Sequence, residues 1–141
     1  MKKKHIIGYT TGVFDLFHIG HLNILRNAKS LCDYLIVGVT TDEVTLILKG
    51  KLPVIPFEER IQIVECIKFV DKAIPKTSIK NDVKNLNFKI DVFFKGDDWK
   101  GTKKGDELEE NMSKIGISVK YFPYTTETCS TLLREAISKL Q

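Results

Sequence analysis

His18 and His21 are the residues whose type and spacing most directly suggest chemistry. The chain contains three histidines, and these two lie in the run T-G-V-F-D-L-F-H-I-G-H. Histidine is the side chain best able to hold or release a proton near neutral pH. Residues three apart face the same way on a helix, so both imidazoles could point at one ligand. The spacing therefore predicts a shared site.

The elements around the histidines predict that this ligand is an anion. The apolar segment 6–10 reads as a strand, Gly12 follows in a turn, and a helical pattern begins at Ile19. Amides at the start of a helix lack intrahelical partners and carry the positive end of its dipole. We therefore expect a phosphate site with two imidazole donors. Zinc is the alternative, but it needs further ligands, and no other Cys or His pair has ligand spacing. We predict no metal ligated by the protein.

Apolar runs and helical patterns alternate along the chain, which predicts a single α/β domain over residues 1–141. The predicted strands cover 6–10, 34–40, 72–74 (ended by Pro75), 91–95 and 119–122. The predicted helices cover 19–32, 57–69, 79–86, 106–115 and 130–140. This order predicts a doubly wound sheet of about five parallel strands with helices on both faces. Ligands of such sheets bind at the carboxyl ends of the strands. The histidine turn and segments 40–43, 96–99 and 124–130 should therefore meet on one rim, as a nucleotide pocket.

Composition and charge limit the classes of molecule that the protein is expected to bind. The net charge is +4 without a basic stripe, so the sequence predicts a small anionic substrate and no nucleic acid. No apolar stretch has membrane-spanning length, so no membrane partner is predicted. The three cysteines, Cys32, Cys66 and Cys129, are an odd number at unrelated spacings, which indicates reduced thiols in a cytoplasm.

Four segments of the chain resemble the cytidylyltransferase family of nucleotidyltransferases, which carry an H-x-G-H signature. They are G-V-F-D-L-F-H-I-G-H at 12–21, A-K-S-L-C-D-Y-L-I-V-G-V-T-T-D-E at 28–43, F-E-E-R at 57–60 and K-G-D-D-W-K-G at 95–101. The first segment is specific for the family, and the last favours its glycerol-phosphate branch. The resemblance runs from about residue 7 to residue 137 and implies a Rossmann-like fold.

The resemblance implies an in-line displacement. The phosphate of a small alcohol, here expected to be glycerol 3-phosphate, attacks the α-phosphorus of CTP; pyrophosphate leaves, and Mg²⁺ that enters with CTP shields the charge. Phosphocholine, phosphoethanolamine, another polyol or sugar phosphate, and ATP as donor are alternatives. A non-catalytic nucleotide-binding module is a further one. The resemblance also implies a homodimer.

The resemblance assigns roles to particular residues. It implies that the catalytic residues are His18, His21, Lys49 and Arg60. It implies that nucleotide is bound by the two histidines together with Thr10, Thr11, Gly12, Phe14, Lys95, Gly96, Asp97, Ser130 and Thr131. The acceptor would contact Asp15, Lys51, Asp98 and Trp99.

Some of these residues have a second interpretation. Asp15 is also a candidate cap of the following helix, and Lys49 and Lys51 flank Gly50 in a predicted loop. The chain departs from the family motif R-T-x-G-[IV]-S-T before the last helix, where Tyr124 takes the arginine position. Lys95 and Arg134 are the candidate replacements for that arginine, and the choice between CTP and ATP stays open.

Overall fold

The computed structural model describes residues 5–79, 88–123 and 130–140, without the side chains of Asp98, Ser130 and Thr131. The described strands are β1 (Ile7–Gly12), β2 (Tyr34–Thr40), β3 (Lys72–Lys76), β4 (Val92–Gly96) and β5 (Ser118–Phe122). The described helices are α1 (Ile19–Ser30), α2 (Asp42–Lys49), α3 (Phe57–Glu65), α4 (Lys103–Lys114) and α5 (Ser130–Lys139). A 3₁₀ turn, Asp97–Trp99, follows β4.

The five strands form one parallel sheet in the order β3-β2-β1-β4-β5. The chain therefore starts at the centre, winds outward to β3, returns to pair β4 with β1, and ends at β5. Strand order reverses between β1 and β4, which is where sheets of this kind form a ligand crevice. The predicted doubly wound α/β fold is confirmed.

Alternation along the strands places a core on each face of the sheet. Leu35, Val37 and Val39 of β2 pack in a cluster with Leu25 of α1 and Val64 of α3. On the opposite face, Tyr9, Ile36 and Phe93 pack in a cluster with Leu108 and Met112 of α4. Successive residues of a strand point to opposite faces, so each strand serves both cores. This packing holds the carboxyl ends of β1, β2 and β4 along one edge.

The element boundaries correct the sequence prediction in two places. α2 lies where a loop was predicted: Thr41 caps its start, with its Oγ1 accepting from the Val44 amide at 3.4 Å, and Gly50 ends it at φ 74°. β3 continues through Pro75 to Lys76 instead of ending at the proline. It lies at the edge of the sheet, where a missing amide hydrogen is tolerated.

Other bounds differ by a few residues. α3 ends at Glu65, earlier than predicted, while α4 begins at Lys103, three residues earlier, where the Thr102 side chain caps it. Most of the helix predicted for 79–86 lies outside the described residues, as does Cys129; Cys32 and Cys66 are free thiols. None of the described helices is both long and apolar enough to cross a membrane.

Candidate active site

The turn between β1 and α1 is held in a strained conformation. Phe14 and Leu16 both have positive φ angles, 54° and 51°, which side-chain-bearing residues rarely adopt. Asp15 lies between them, is 1% exposed, and accepts hydrogen bonds from the amides of Val54 at 2.8 Å and Ile55 at 2.9 Å. Such strain persists where the surrounding structure fixes it, and it concentrates at functional sites.

Asp15 holds the turn in place and does not cap α1, whose N-cap is His18. Its carboxylate lines the cavity and accepts from two amides and from Arg134 Nη2 at 3.2 Å, and its contact with an acceptor stays a prediction. Burial alone would raise the pKa of this carboxyl group. The two backbone hydrogen bonds and Arg134 outweigh burial and lower the pKa, so the group stays ionised.

The histidine pair forms the first turn of α1. His18 is the N-cap, and its Nδ1 accepts from the Gly20 amide at 3.0 Å. Nδ1 of His21 accepts from the His18 amide at 3.3 Å, and the two ring centroids lie 4.0 Å apart. The pair is thus a capping box in which imidazoles replace the usual hydroxyl and carboxylate. The three-residue spacing that predicts a shared site also lets the two imidazoles cap the start of α1.

These contacts fix the protonation of both imidazoles. Burial lowers the pKa of His18, and burial with the neighbouring His18 lowers the pKa of His21 to about 3. Both rings are therefore neutral near pH 7. Since Nδ1 accepts a hydrogen bond in each ring, the proton of the neutral ring resides on Nε2. Each imidazole is a neutral donor at Nε2.

A cavity of about 480 Å³ opens at the carboxyl edge of the sheet beside the histidines. Its size is typical of a small-molecule site. Predicted residues that line it are His21, Lys49, Thr10, Thr11, Gly12, Phe14, Asp15, Lys95, Gly96 and Trp99. Thr40 also lines it, so the ends of β1, β2 and β4 meet at one rim as predicted.

The cavity wall is strongly cationic. Lys49, Lys76, Lys95 and Arg134 line it, whereas Asp15 is the one carboxylate among its described lining residues. Burial and the nearby Arg134 lower the pKa of Lys49, and burial and the nearby Lys95 lower the pKa of Lys76. Cations that disfavour one another in a shared cavity indicate an anionic ligand.

Arg60 corrects the sequence prediction most clearly. It is 1% exposed, and its guanidinium donates to the carbonyls of Ile55 (2.8 Å), Val13 (2.6 Å) and Thr40 (2.7 Å). It also donates to Asp42 Oδ1 at 2.7 Å. The planar fork that was expected to hold phosphate instead joins the ends of β1 and β2 to the starts of α2 and α3. Arg60 positions the rim and does not line the cavity.

Other predicted residues lie beside the cavity or outside the description. His18 stacks on His21 but is not among the cavity-lining residues, and Lys51 and Asp97 are exposed and do not line it. Side chains of Asp98, Ser130 and Thr131 lie outside the described structure, as does segment 124–129, including Tyr124. Arg134, named as a replacement for the missing arginine, does line the cavity.

Among the charged residues that line the cavity, Lys76 is the one that sequence reasoning missed. It is only 8% exposed, and its Nζ donates to the Ser78 carbonyl at 3.0 Å. It occupies the carboxyl end of β3, so the general rule for parallel sheets would have found it. The predicted strand, 72–74, stops short of Lys76, whereas β3 includes it.

Clusters of three or more metal-ligating side chains are absent from the described residues. The nearest carboxylate of the cavity, Asp15, is already engaged by two amides and Arg134. The described residues of the cavity therefore offer a divalent cation no ready-made set of protein ligands.

Fold and site together define a class of protein. A doubly wound sheet with a cationic cavity at the switch point, closed by a helix start that carries two imidazoles, is the architecture of a nucleotidyltransferase. A solved structure shares this fold: the lipopolysaccharide core biosynthesis protein from Thermoplasma volcanium GSS1 has a TM-score of 0.70 and 31% identity, covering 89% of this chain and 100% of that one. Pantoate-beta-alanine ligase from Francisella tularensis, at TM-score 0.59 and 15% identity, covers 98% of this chain and 71% of its own, and shows the fold alone.

Sequence comparison gives the family. The Cytidylyltransferase-like family model matches residues 9–137, and the chain belongs to that family. Glycerol-3-phosphate cytidylyltransferase from Bacillus subtilis (strain 168) is 38% identical over 138 residues, covering 97% of this chain and 99% of that protein. The enzyme of that name from Staphylococcus aureus (strain NCTC 8325 / PS 47) is 41% identical over 101 residues, 70% of this chain and 73% of that one. Ethanolamine-phosphate cytidylyltransferase from Arabidopsis thaliana is 40% identical over 102 residues, covering 69% of this chain and 24% of that one. The resemblance inferred from the motifs is confirmed.

Proposed function

We propose that the protein transfers a cytidylyl group from CTP to a small phosphorylated alcohol, with glycerol 3-phosphate as the first candidate acceptor. The observation that carries the proposal is the histidine pair: two neutral imidazoles, fixed as Nε2 donors, at the start of a helix beside a cationic cavity. The relatives named above support the choice of nucleotide and acceptor.

The reaction is a displacement at phosphorus. An oxygen of the acceptor phosphate attacks the α-phosphorus of CTP, the bond from that phosphorus to the bridging oxygen breaks, and pyrophosphate leaves with the electron pair. No proton transfer is required, so the imidazoles act as donors to phosphate oxygens and not as bases. Because a fixed neutral donor needs little reorganisation as charge builds up, it stabilises the transition state more than the ground state.

Cations of the cavity complement these donors. Lys49 and Arg134 lie on the same wall as His21, where they would neutralise the departing pyrophosphate. Gly12 lines the cavity at the end of β1, and a Cβ there would lie 2.9 Å from the Phe14 ring, so glycine lets the turn pack closely beside the nucleotide site. Mg²⁺ would arrive bound to the triphosphate and shield its charge.

Pyrophosphate release tests the proposal. The enzyme would be assayed with MgCTP or MgATP against glycerol 3-phosphate, phosphocholine and phosphoethanolamine. We expect release with CTP and glycerol 3-phosphate, and a loss of at least 100-fold in kcat for His21→Ala, on the scale of removing one preorganised donor. His5→Ala is the matched control, because His5 is exposed and precedes β1, at the amino-terminal ends of the strands and away from the cavity. Release with ATP alone would overturn the choice of nucleotide. Binding of CTP without release under any acceptor would support a non-catalytic module.

The protein is also proposed to be a homodimer, as the family resemblance implies. Exposed apolar side chains on and after α2, including Ile47 at 62% and Leu52 at 60%, support it, because such side chains gathered in one region mark contact surfaces. Light scattering should give twice the mass of one chain, and a monomer at micromolar concentration would contradict the proposal.

A further inference from the structure

A buried lysine faces the cavity without an acidic partner in the described structure. Lys76 is 8% exposed, and its Nζ donates to the neutral carbonyl of Ser78. No carboxylate of the described residues forms a salt bridge with it. Buried charges in proteins are normally paired or hydrogen-bonded, so an ammonium group in a cavity wall whose described partner is a neutral carbonyl indicates that further oxygen acceptors come from a ligand.

Lys95 adds a second positive charge at the same part of the cavity. Thr40 pairs with Lys76 in register and Lys95 follows Phe93 by two residues, so both lysines extend from the face of the sheet that carries Ile36 and Phe93. The two ammonium groups are close enough that Lys95 lowers the pKa of Lys76. Their like charges make this part of the cavity favourable for ligand oxygens and unfavourable for a further cation.

Small residues leave space between the two lysines. Thr11, Gly38 and Thr40 occupy the same face at the ends of β1 and β2. A Cβ at Gly38 would lie 2.5 Å from the Tyr9 hydroxyl and 3.1 Å from Thr11 Cγ2, so even alanine would crowd this floor. The cavity thus extends over β2 to β3 and is not confined to the histidine end.

The position of Lys76 separates it from the nucleotide. Nucleotides in doubly wound sheets occupy the switch point, which lies here between β1 and β4. β3 is two strands away from β1 in the opposite direction. A ligand group at Lys76 therefore lies away from the switch point, on a side that the second substrate can occupy, and Lys95, which extends from β4, reaches this part of the cavity from the nucleotide side.

Trp99 provides an independent argument about the head group of that substrate. An aromatic face in a binding cavity is the usual seat for a ligand ammonium group. The Trp99 ring already carries the Lys95 ammonium, whose Nζ lies 3.7 Å from the ring centroid. The one tryptophan of the chain is therefore occupied by a cation of the protein itself.

We propose that Lys76 and Lys95 form an acceptor subsite that selects phospho-alcohols with uncharged or anionic head groups and rejects those with ammonium head groups. The inference rests on the proposed cytidylyl transfer and specifies its acceptor class. Ammonium hydrogens of the lysines donate to head-group hydroxyl or carboxylate oxygens, whereas a substrate ammonium meets two like charges in a partly desolvated cavity. Choline and ethanolamine phosphates are excluded by charge, not by size.

An isosteric pair of acceptors tests the inference. 2-Hydroxyethyl phosphate and phosphoethanolamine differ only in an OH group that replaces an NH₃⁺ group. We expect kcat/KM with MgCTP to favour 2-hydroxyethyl phosphate by at least about tenfold, and Lys76→Met to reduce this ratio by about tenfold. Lys95→Met should act in the same direction. Methionine keeps the length and apolar stem of lysine, and a thermal melt would verify that each variant folds.

Lys72→Met is the matched control. Lys72 belongs to the same strand and the same face as Lys76, but it is exposed at the opposite end and lies over the Phe88 ring, 4.6 Å from its centroid. In Lys72→Met, the ratio of kcat/KM with 2-hydroxyethyl phosphate to kcat/KM with phosphoethanolamine should equal that of the wild type. A ratio that is unchanged in both Lys76→Met and Lys95→Met, or a wild type that prefers phosphoethanolamine, would overturn the inference while leaving cytidylyl transfer intact. Absence of pyrophosphate release with glycerol 3-phosphate and every other acceptor would overturn the proposed function and this inference with it.

Discussion

Replacing Arg60 should unfold the rim of the site rather than weaken phosphate binding. In Arg60→Met, the carbonyls of Val13, Thr40 and Ile55 and the carboxylate of Asp42 lose their donors. Hydrogen bonds to a charged group contribute about 1.5–3 kcal/mol each, but such contributions are not additive. Removing one partner from a buried ion pair costs about 3–5 kcal/mol, and we expect the whole substitution to fall in that range.

That loss is a large part of the stability of a domain of this size, which is on the order of 5–15 kcal/mol. Each kcal/mol shifts the melting temperature of such a domain by about 2–4 °C, so a loss of about 3–5 kcal/mol should lower the midpoint by about 6–20 °C. Arg60→Lys keeps the charge but not the planar fork, and should lose about half as much. Urea unfolding followed by circular dichroism would measure both variants.

Arg26→Met is the control for removal of an arginine. Arg26 is exposed on α1 and donates to Asn23 Oδ1 at 3.1 Å, so its loss should change the free energy of unfolding by about 0.5 kcal/mol or less. The reasoning is refuted if Arg60→Met keeps the wild-type unfolding midpoint and loses turnover with a raised KM for CTP. That result would mean that the guanidinium is directed at phosphate and not at the rim.

Three further predictions follow from single residues of the site. The pKa of His21 falls from 6.5 to about 3 on folding, so the unfolded chain binds more protons and the free energy of unfolding should decrease as the pH falls below 6.5. His21→Asn should flatten this dependence in urea titrations at several pH values, and an unchanged slope would contradict the assignment. Asp15→Asn should cost about 2 kcal/mol at pH 7, and since its pKa is lowered from 3.8, the wild-type advantage should vanish as the pH falls through and below that value; a persistent difference in acid would exclude the carboxylate as its source. Gly38→Ala should destabilise the protein by about 1–3 kcal/mol, because its Cβ would clash with the Tyr9 hydroxyl. An unchanged melting temperature would show that Tyr9 moves aside without cost and would contradict the prediction.

The sequence predicted most of what depends on local pattern. Alternation of apolar runs and helical periods predicts the doubly wound sheet, and the strand-end rule predicts that His21, Thr40, Gly96 and Trp99 share a rim. α2 was missed although both of its ends carry readable signals, Thr41 as cap and Gly50 as stop. Its apolar, β-branched interior lacks the spaced pattern that identifies a longer helix.

Contacts between distant segments were beyond sequence reasoning. A motif indicates that Arg60 and Asp15 matter, but it does not distinguish a residue that binds phosphate from one that builds the binding site. Both side chains are nearly inaccessible to solvent. Two partners of Arg60, Asp42 and Val13, lie 18 and 47 positions away from it in the sequence. Lys76 was not predicted for a different reason: a proline usually ends a strand, but β3 lies at the sheet edge and continues through Pro75 to Lys76.

The most direct test of the account is the fate of the α-phosphate of CTP. Under single-turnover conditions with Mg²⁺, [α-³²P]CTP and glycerol 3-phosphate, the wild type should move the label into a CDP-alcohol and release unlabelled pyrophosphate. His21→Ala should do so at least 100-fold more slowly at saturating substrate, while His5→Ala retains the wild-type rate. Label that stays in CTP or appears as free CMP, or a His21→Ala variant with wild-type rate, would contradict the central claim that the histidine end of the cavity performs cytidylyl transfer.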